Sequence, residues 1–415
     1  MDDGPEWSGF AAACGGSSDD EAKKADGPVT LTWWHNGTTA PLKDVWQQTA
    51  EGFQKANPDV SIKVNPIQNE QFTTKVPVAL QSSNPPDVYQ QWGGGQLATQ
   101  IRSGKVMDIT KPLASEVETI GSAAEGWAVD GKQYGVPFSL HIVGFWYRKD
   151  LFEKAGITSP PTTIDDLKAD VDKLKQAGIT PIAIGSKDRW PDAFWWDYFV
   201  LRHCPTDTVK QAMKDVKLDD PCFTKAGEDL KAFLDIKPFQ KGFLGTPAQQ
   251  GAGSSAGLVA NGKAAMELQG DWEPSVMSAL TDDKQLRSKL GWFPFPAVEG
   301  GQGDPDVALG GGDGFSCTTK ATTACTDFLK DILGPDVQKQ LVSSGAVSLP
   351  ANPAAASAIS DATVKDVLSY SQKASFIQTY FDVALPTSQG QALNDAIANY
   401  FAGQGSPAEI GKSVE

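Results

Sequence analysis

Apolar and polar positions follow two different periods in the N-terminal part of the chain. In 29–34 (VTLTWW) and 60–64 (VSIKV) apolar side chains recur at every second position, which predicts β-strands. In 41–57 and 70–81 they recur three and four positions apart, which predicts helices. A third strand is predicted at 86–92. The order strand–helix–strand–helix–strand predicts a parallel sheet with right-handed crossovers, whose strand ends meet at one crevice.

A long apolar and aromatic run at 141–147 follows this unit. Asp130-Gly131 is a turn sequence ahead of it, and Pro137 disfavours a helix at its start. The run therefore predicts a buried strand, and the polar segment 149–156, which ends in glycine, predicts a short helix.

The rest of the chain also alternates helices with short strands. Thr163, with Asp166 three residues later, is a capping pattern for a helix over 163–178 that leads into a strand at 180–185. Gly, Ser and Gln dominate 242–257, which predicts a flexible loop. The spacing of apolar residues predicts further helices at 223–233, 324–334, 337–344 and 392–402, and a helix followed by a strand at 258–271.

Several segments resemble, in order, those of the carbohydrate-specific solute-binding proteins of ABC transporters, the family typified by maltose-binding protein. The stretch YGVPFSLHIVGFWYRKDLFEKAGI at 134–157 resembles the family's first crossover between lobes, with Arg148 where asparagine is usual. Segment 258–272 is similar to the family's F-x-x-G-x-A-A-M-x-x-x-G-x-W motif, with Val259 where Phe is common. GWFPFPAV at 291–298 is similar to the family's P-x-P strand. GGGDGF at 310–315 is similar to its second crossover, and GAVSLPAN at 345–352 to its return segment.

The resemblance implies an α/β, two-lobed periplasmic-binding-protein fold, each lobe a β-sheet flanked by helices. The lobes would be joined by crossing strands and would close on a ligand between them by hinge bending. The resemblance also implies that residues 28–140 plus 312–350 form lobe 1 and that residues 141–311 plus 351–415 form lobe 2.

Composition limits the possible partners. The chain has 415 residues, a net charge of −15 and a pI of about 4.7. This charge argues against nucleic acid and anionic membrane surfaces as partners and suits an exported monomer. No apolar run approaches the roughly 20 residues of a membrane-spanning helix.

The five cysteines suggest an oxidising compartment. Short spacings favour two disulfides, Cys204–Cys222 and Cys317–Cys325, with free buried thiols as the alternative. The odd cysteine, Cys14, follows small residues and precedes a polar, acidic tether, which resembles the end of a bacterial lipoprotein signal. The apolar region that should precede it is missing, and the first ten residues look non-native. We therefore expect residues 1–27 to be a tether and Cys14 to be the native lipidation site, which would hold the protein at the outer face of the cell membrane.

Other chemistry is poorly supported by the sequence. GSSAG at 253–257 fits G-x-S-x-G but lacks the preceding strand of a nucleophile elbow. GGGQLA at 93–98 fits a dinucleotide-binding pattern but follows the third strand instead of the first. The three histidines lack metal-ligand spacing. Glu267, Asp271 and Glu273 could serve a glycoside hydrolase, although such a cluster is more often a polar surface. We predict no catalytic residue, metal or cofactor, and a glycoside hydrolase or a dinucleotide-dependent oxidoreductase remains the alternative.

Sugar-binding chemistry fits the sequence better. Aromatic rings stack on the apolar C–H faces of a pyranose, and planar polar side chains satisfy its hydroxyls. Such residues occur at the predicted strand ends and crossovers, and the resemblance adds most to Trp92, His141, Trp190 and Trp272. We predict that Trp33, Trp34 and Trp46 are core residues. For Trp195 and Trp196, ligand stacking and core packing are about equally supported. The predicted ligand-binding residues are His35, Asn36, Glu70, Gln71, Trp92, His141, Arg189, Trp190, Trp272, Asp313 and Asp382.

The sequence thus predicts the substrate-binding component of an ABC sugar importer, whose partners are membrane permease subunits energised by a cytoplasmic ATPase. Several stacking Trp residues favour an oligosaccharide. The segments QNEQFTTK, PDVYQQWGGG and KDRWPDAF resemble importers of plant-derived β-linked sugars in actinobacteria. Xylobiose or a xylo-oligosaccharide is therefore the first expectation, with chitobiose and cellobiose as alternatives.

Overall fold

The computed structural model describes residues 27–415, which form a mixed α/β fold. The strands are β1 Val29–His35, β2 Val60–Pro66, β3 Val88–Gln91, β4 Ala128–Val129, β5 Lys132–Gln133, β6 Val136–Arg148, β7 Thr180–Ala183, β8 Ala264–Gly270, β9 Leu290–Phe293, β10 Val307–Cys317, β11 Leu349–Pro350 and β12 Phe376–Thr379. The helices are α1 Leu42–Ala56, α2 Asn69–Gln81, α3 Gly94–Ile101, α4 Ala114–Ile120, α5 Lys149–Lys154, α6 Ile164–Gln176, α7 Trp190–His203, α8 Thr206–Asp215, α9 Pro221–Asp235, α10 Ser255–Ala260, α11 Glu273–Ala279, α12 Leu286–Lys289, α13 Thr323–Leu333, α14 Pro335–Ser343, α15 Ala362–Lys373, α16 Phe381–Ala384, α17 Thr387–Phe401 and α18 Pro407–Lys412. Short 3₁₀ segments lie at Gly121–Trp127, Ser186–Asp188, Phe243–Gly245 and Pro353–Ala358.

Ten strands form one hydrogen-bonded network with the path β2-β1-β3-β10-β6-β8-β7. As the N-terminal pattern predicts, β1 pairs in parallel with β2 and β3. The long strands β6 and β10 are antiparallel neighbours at the centre, and their register shifts between Asp313 and Gly314.

Two large apolar cores lie along this network. The first core is drawn from residues 31–138 and 315–351 and includes Trp33 and Trp46. The second core is drawn from residues 143–309 and 380–414 and includes Trp195 and Trp196, which are therefore core residues. Strand β6 contributes to both cores, and so does β10.

The segment that follows β11 lies with the first core, although the sequence places residues from 351 onward in the second lobe. Asn352 donates its side-chain amide to the carbonyl of Leu333, 2.8 Å away, and Gln338 accepts from its backbone N–H at 3.1 Å. Residues 353–358 then pack against α14.

Other local predictions are confirmed. The Thr163–Asp166 capping box is present at the start of α6, and both predicted disulfides, Cys204–Cys222 and Cys317–Cys325, are formed. Cys14 and its tether lie outside the described residues. None of the helices within 27–415 combines the length and apolar character of a membrane span.

Candidate ligand-binding site

Four aromatic side chains form a continuous surface beside the central strands, here called the aromatic surface: Trp190, Phe194, Trp272 and Tyr380. The ring centroid of Trp272 lies 6.3 Å from that of Trp190 and 6.4 Å from that of Tyr380. Both Trp residues are half-buried and pack on the second core, while Phe194 and Tyr380 are buried. The surface combines a rigid apolar base with partly accessible indole rings.

Glycines in the central strands make room for two of these rings. A Cβ atom at Gly270, the last residue of β8, would lie 2.1 Å from the ring of Trp272. A Cβ atom at Gly311 of β10 would lie 2.5 Å from the ring of Tyr380. Any larger residue at either position would therefore displace an aromatic side chain.

His141 of β6 bridges two carboxylates next to this surface. Its Nδ1 lies 2.9 Å from Oδ1 of Asp271, and its Nε2 lies 3.2 Å from Oδ2 of Asp313. Burial lowers the pKa of His141, but Asp271 and Asp313 more than offset this and raise that pKa to about 10. The imidazole is therefore protonated at neutral pH and donates to both carboxylates, which ties β6 to β10 and to the end of β8.

Polar groups beside the bridge remain unpaired within the described residues. The Tyr380 hydroxyl and Oδ2 of Asp271 are buried and have no hydrogen-bond partner within residues 27–415. Burial, and then the negative charges of Asp271 and Asp313, raise the pKa of Tyr380 well above its usual value, so the hydroxyl keeps its proton. Because an unpaired buried polar group is costly, a donor and an acceptor beside aromatic rings favour a ligand that carries hydroxyl groups.

The other side of the site is formed by α2 and by the segment that follows β3. Glu70, in the first turn of α2, accepts at Oε2 a hydrogen bond of 2.9 Å from the side-chain amide of Gln250. Burial raises the pKa of Glu70, and Asp188 adds to this effect, whereas Gln250 and Trp190 partly offset it. Trp92, which follows β3, lies edge-on to Phe72 with ring centroids 5.6 Å apart. Trp92 contacts both a cluster around α2 and the second core.

Four predicted residues have their own partners instead. His35 is fully buried, and its ring lies 4.8 Å from that of Trp33, so its side chain cannot touch a ligand in this conformation. Arg189 pairs with Asp395 of α17. Asp382 accepts from Asn394 at 2.8 Å. The backbone N–H of Asn36 donates to Gln90 at 2.9 Å.

The carboxylate cluster is not a polar surface, which corrects the sequence interpretation. Glu267, Asp271 and Glu273 are at most 1% exposed. Burial raises the pKa of Glu267 to about 8, and burial together with the charge of Glu267 raises that of Glu273 well above its usual range. Hydrogen bonds from Ser255 and Gln269 partly offset the rise in the pKa of Glu267. Hydrogen bonds from Gln249 and Trp272 partly offset the rise in the pKa of Glu273. The two glutamates thus form a buried acid pair next to the aromatic surface.

The glycine-rich motifs have structural roles. At Gly94 and Gly95 a Cβ atom would lie 2.5 Å from the carbonyl oxygens of Val383 and Ala384, so these glycines permit close packing of α3 on α16. Ser255 of the G-x-S-x-G pattern is buried at the start of α10 and donates to the carbonyl of Ala248 at 3.1 Å. Neither motif forms a catalytic or phosphate-binding turn.

Sequence reasoning missed three residues of the site. Tyr380 follows β12, a short strand that the pattern does not predict. Phe194 is hidden in the Trp-rich segment of α7. Gln250 lies in the segment predicted to be a flexible loop, where no motif distinguishes one polar residue from another.

Comparison with known proteins identifies the family. The profile described as bacterial extracellular solute-binding protein matches residues 36–339. The chain belongs to the bacterial extracellular solute-binding proteins. It is 28% identical, over 81% of its length and 77% of the relative's, to the diacetylchitobiose binding protein DasA of Streptomyces coelicolor. It is also 29% identical to an ABC transporter extracellular-binding protein of Pyrococcus horikoshii, over 64% of this chain. That match spans only 61% of the Pyrococcus protein, and a second Pyrococcus relative is matched over 54% of its length.

Solved structures have the same fold. A structure from work on xylan utilization by Caldanaerobius polysaccharolyticus superposes with a TM-score of 0.85 at 25% identity, over 93% of this chain and 99% of that one. A chitin oligosaccharide binding protein superposes with a TM-score of 0.82 at 22% identity, over 93% and 97% of the two chains, and so shares the fold. The family to which this chain belongs is one of solute-binding proteins, not of enzymes.

Proposed function

We propose that this protein is the sugar-binding component of an ABC importer and that its ligand lies on the aromatic surface between the two cores. The observation that carries the proposal is the placement of two half-buried indoles, Trp190 and Trp272, beside the unpaired Tyr380 hydroxyl and the His141-linked carboxylates. Stacking rings would cover the C–H face of a pyranose, and the polar groups would take its hydroxyls.

The two cores are the proposed lobes, with the cleft between them. Lobe 1 comprises residues 28–140 plus 312–350 and, given the packing of 352–358 on α14, extends to about residue 358. Lobe 2 comprises the remainder of the described chain. The hydrogen bond between Glu70 and Gln250 joins the proposed lobes across the cleft, which supports a closed conformation.

An oligosaccharide is the proposed ligand. The name of the Streptomyces relative gives diacetylchitobiose as its ligand, and the Caldanaerobius structure comes from work on xylan utilization. Xylobiose or a xylo-oligosaccharide is our first candidate because the Caldanaerobius structure superposes with a TM-score of 0.85, against 0.82 for the chitin oligosaccharide binding protein, and chitobiose is the second. Of the predicted polar residues, we propose His141, Glu70 and Asp313 as sugar contacts, because they are linked to residues of the aromatic surface.

The transport partners are also proposed. Membrane permease subunits would receive the sugar from the closed protein, and a lipidated Cys14 would hold the protein at the outer face of the membrane. These assignments are supported by the family and by the segment around Cys14.

A sugar panel tests the function. The purified protein is mixed with xylobiose, chitobiose, cellobiose and maltose, its melting temperature is recorded, and the sugar is then analysed for cleavage. We expect at least one disaccharide to raise the melting temperature, as a ligand that binds the native state must, while the sugar stays intact. Cleaved sugar, or no shift with any disaccharide or longer homologue, would contradict the proposal.

A further inference from the structure

We infer a second carbohydrate subsite beside the start of α2, at the rim of the proposed cleft; this inference rests on the proposed function. The site is a groove of about 520 Å³, here called the rim groove. It is lined by Trp34, Thr38, Asn65, Pro66, Ile67, Gln68, Gln71 and Lys75.

The rim groove lies where two parallel strands end. Trp34 and Asn65 are register partners near the carboxyl ends of β1 and β2, and the carboxyl edge of such a sheet is where α/β proteins bind ligands. Alternation along β1 buries Trp33 and His35 on one face and turns Trp34 to the other, towards α2. Trp34 is thus half-buried in the wall of a groove, which corrects its prediction as a core residue.

The lining of the rim groove matches one neutral sugar unit. The Trp34 indole offers an apolar face for C–H groups. Asn65, Gln68 and Gln71 carry amides that both donate and accept, and Thr38 adds a hydroxyl. Lys75 is held by Gln71 through a hydrogen bond of 3.1 Å, and none of the described residues that line the groove carries a carboxylate. A neutral hydroxylated ring suits this set better than a cationic one.

The rim groove is adjacent to the aromatic surface. Glu70 contacts Gln250 and lies near Trp190, whereas the next residue, Gln71, lines the groove. At the start of α2, next to Glu70, the side-chain amide of Asn36 donates to Asn69 at 3.2 Å. A sugar chain that leaves the aromatic surface past the start of α2 would therefore reach Trp34. The ligand class that uses both sites is a neutral oligosaccharide longer than a disaccharide.

Calorimetry with ligands of different length tests this inference. Xylobiose, xylotetraose, chitobiose and chitotetraose are titrated into the wild type, Trp34→Ala, Gln71→Ala and Val78→Ala. Val78 is the control because it lies on the same helix but is 69% exposed and outside the groove. We expect the wild type to bind one tetrasaccharide more tightly than its disaccharide. In Trp34→Ala this advantage should fall at least about fivefold, the effect of removing a contact worth about 1 kcal/mol.

The outcomes are distinguishable. Trp34→Ala also removes packing against α2, so the melting temperature of each ligand-free variant is recorded. If Trp34→Ala does not fold, Gln71→Ala is the test, because Gln71 is exposed. We expect a smaller loss of the tetrasaccharide advantage in that variant. An unchanged tetrasaccharide-to-disaccharide ratio in the folded variants overturns the rim groove but leaves sugar binding intact. If the wild type binds none of these sugars and no sugar of the melting-temperature panel, the proposed function itself fails.

Discussion

The imidazole of His141 lies edge-on to the indole of Trp272, with ring centroids 4.9 Å apart and an interplanar angle of 89°. Because His141 is held between Asp271 and Asp313, it fixes the position of the indole as well as joining the central strands. The electrostatic bridge and the stacking surface are therefore one structural unit.

Gly270→Ala should disrupt sugar binding without touching any polar group. The added methyl would lie 2.1 Å from the Trp272 ring, so the indole must leave its position. We expect an affinity loss at least as large as tenfold, equivalent to about 1.4 kcal/mol. Gly253→Ala is the matched control, because Gly253 is exposed and a Cβ atom there meets open space. Equal sugar affinities of Gly270→Ala and Gly253→Ala in calorimetry would argue against the packing of Trp272 on Gly270.

The buried acid pair should make stability depend on pH. Burial raises the folded-state pKa of Glu267 from 4.5 to about 8, so the native state holds a proton that the unfolded state releases above about pH 4.5. The unfolding free energy of the wild type should therefore fall as pH rises from 5 to 8. In Glu267→Gln that fall should be smaller by at least about 1.4 kcal/mol, the equivalent of one pKa unit.

Urea unfolding at pH 5, 6.5 and 8 measures this difference. The exposed Glu299→Gln is the control and should follow the wild type. Parallel pH profiles for the wild type and Glu267→Gln would refute the proposed protonation of the pair.

The contact between Glu70 and Gln250 should favour the closed conformation. Gln250→Ala removes the hydrogen bond across the proposed cleft. Loss of one such bond costs about 1 kcal/mol, which corresponds to roughly fivefold weaker sugar binding. Small-angle scattering should show that saturating sugar reduces the radius of gyration of the wild type, and that Gln250→Ala needs more sugar for the same change. A radius that does not respond to sugar at full occupancy would speak against hinge closure.

Much of the fold can be predicted because helices, strands and caps depend on residues that are close together in the sequence. The alternation in β1, the capping box of α6 and the apolar run of β6 each correspond to an element of the structure. Motifs distributed along the chain indicate the family, and the match over residues 36–339 establishes it.

The site was less predictable because its residues come together only through tertiary packing. Tyr380 reaches Trp272 because β12 pairs with β10, which no local pattern indicates. Gly270 has no positive φ, so the role of its missing side chain is to provide space for the indole, which the sequence alone does not show. His35 follows the predicted strand 29–34, yet it is the last residue of β1, and alternation along that strand places its ring against Trp33 of the first core.

The most direct test of sugar binding on the aromatic surface is Trp272→Ala, studied by calorimetry of binding and of ligand-free unfolding on the same preparation. Loss of a central aromatic contact typically costs about 2 kcal/mol or more, roughly thirtyfold in affinity. Because Trp272 is half-buried, the melting temperature should change little, as in the exposed control Leu244→Ala. We predict a loss of affinity of at least that size for the sugar that binds the wild type. Near-normal affinity together with a stability loss of about 3–5 kcal/mol, as expected for a core tryptophan, would contradict the account.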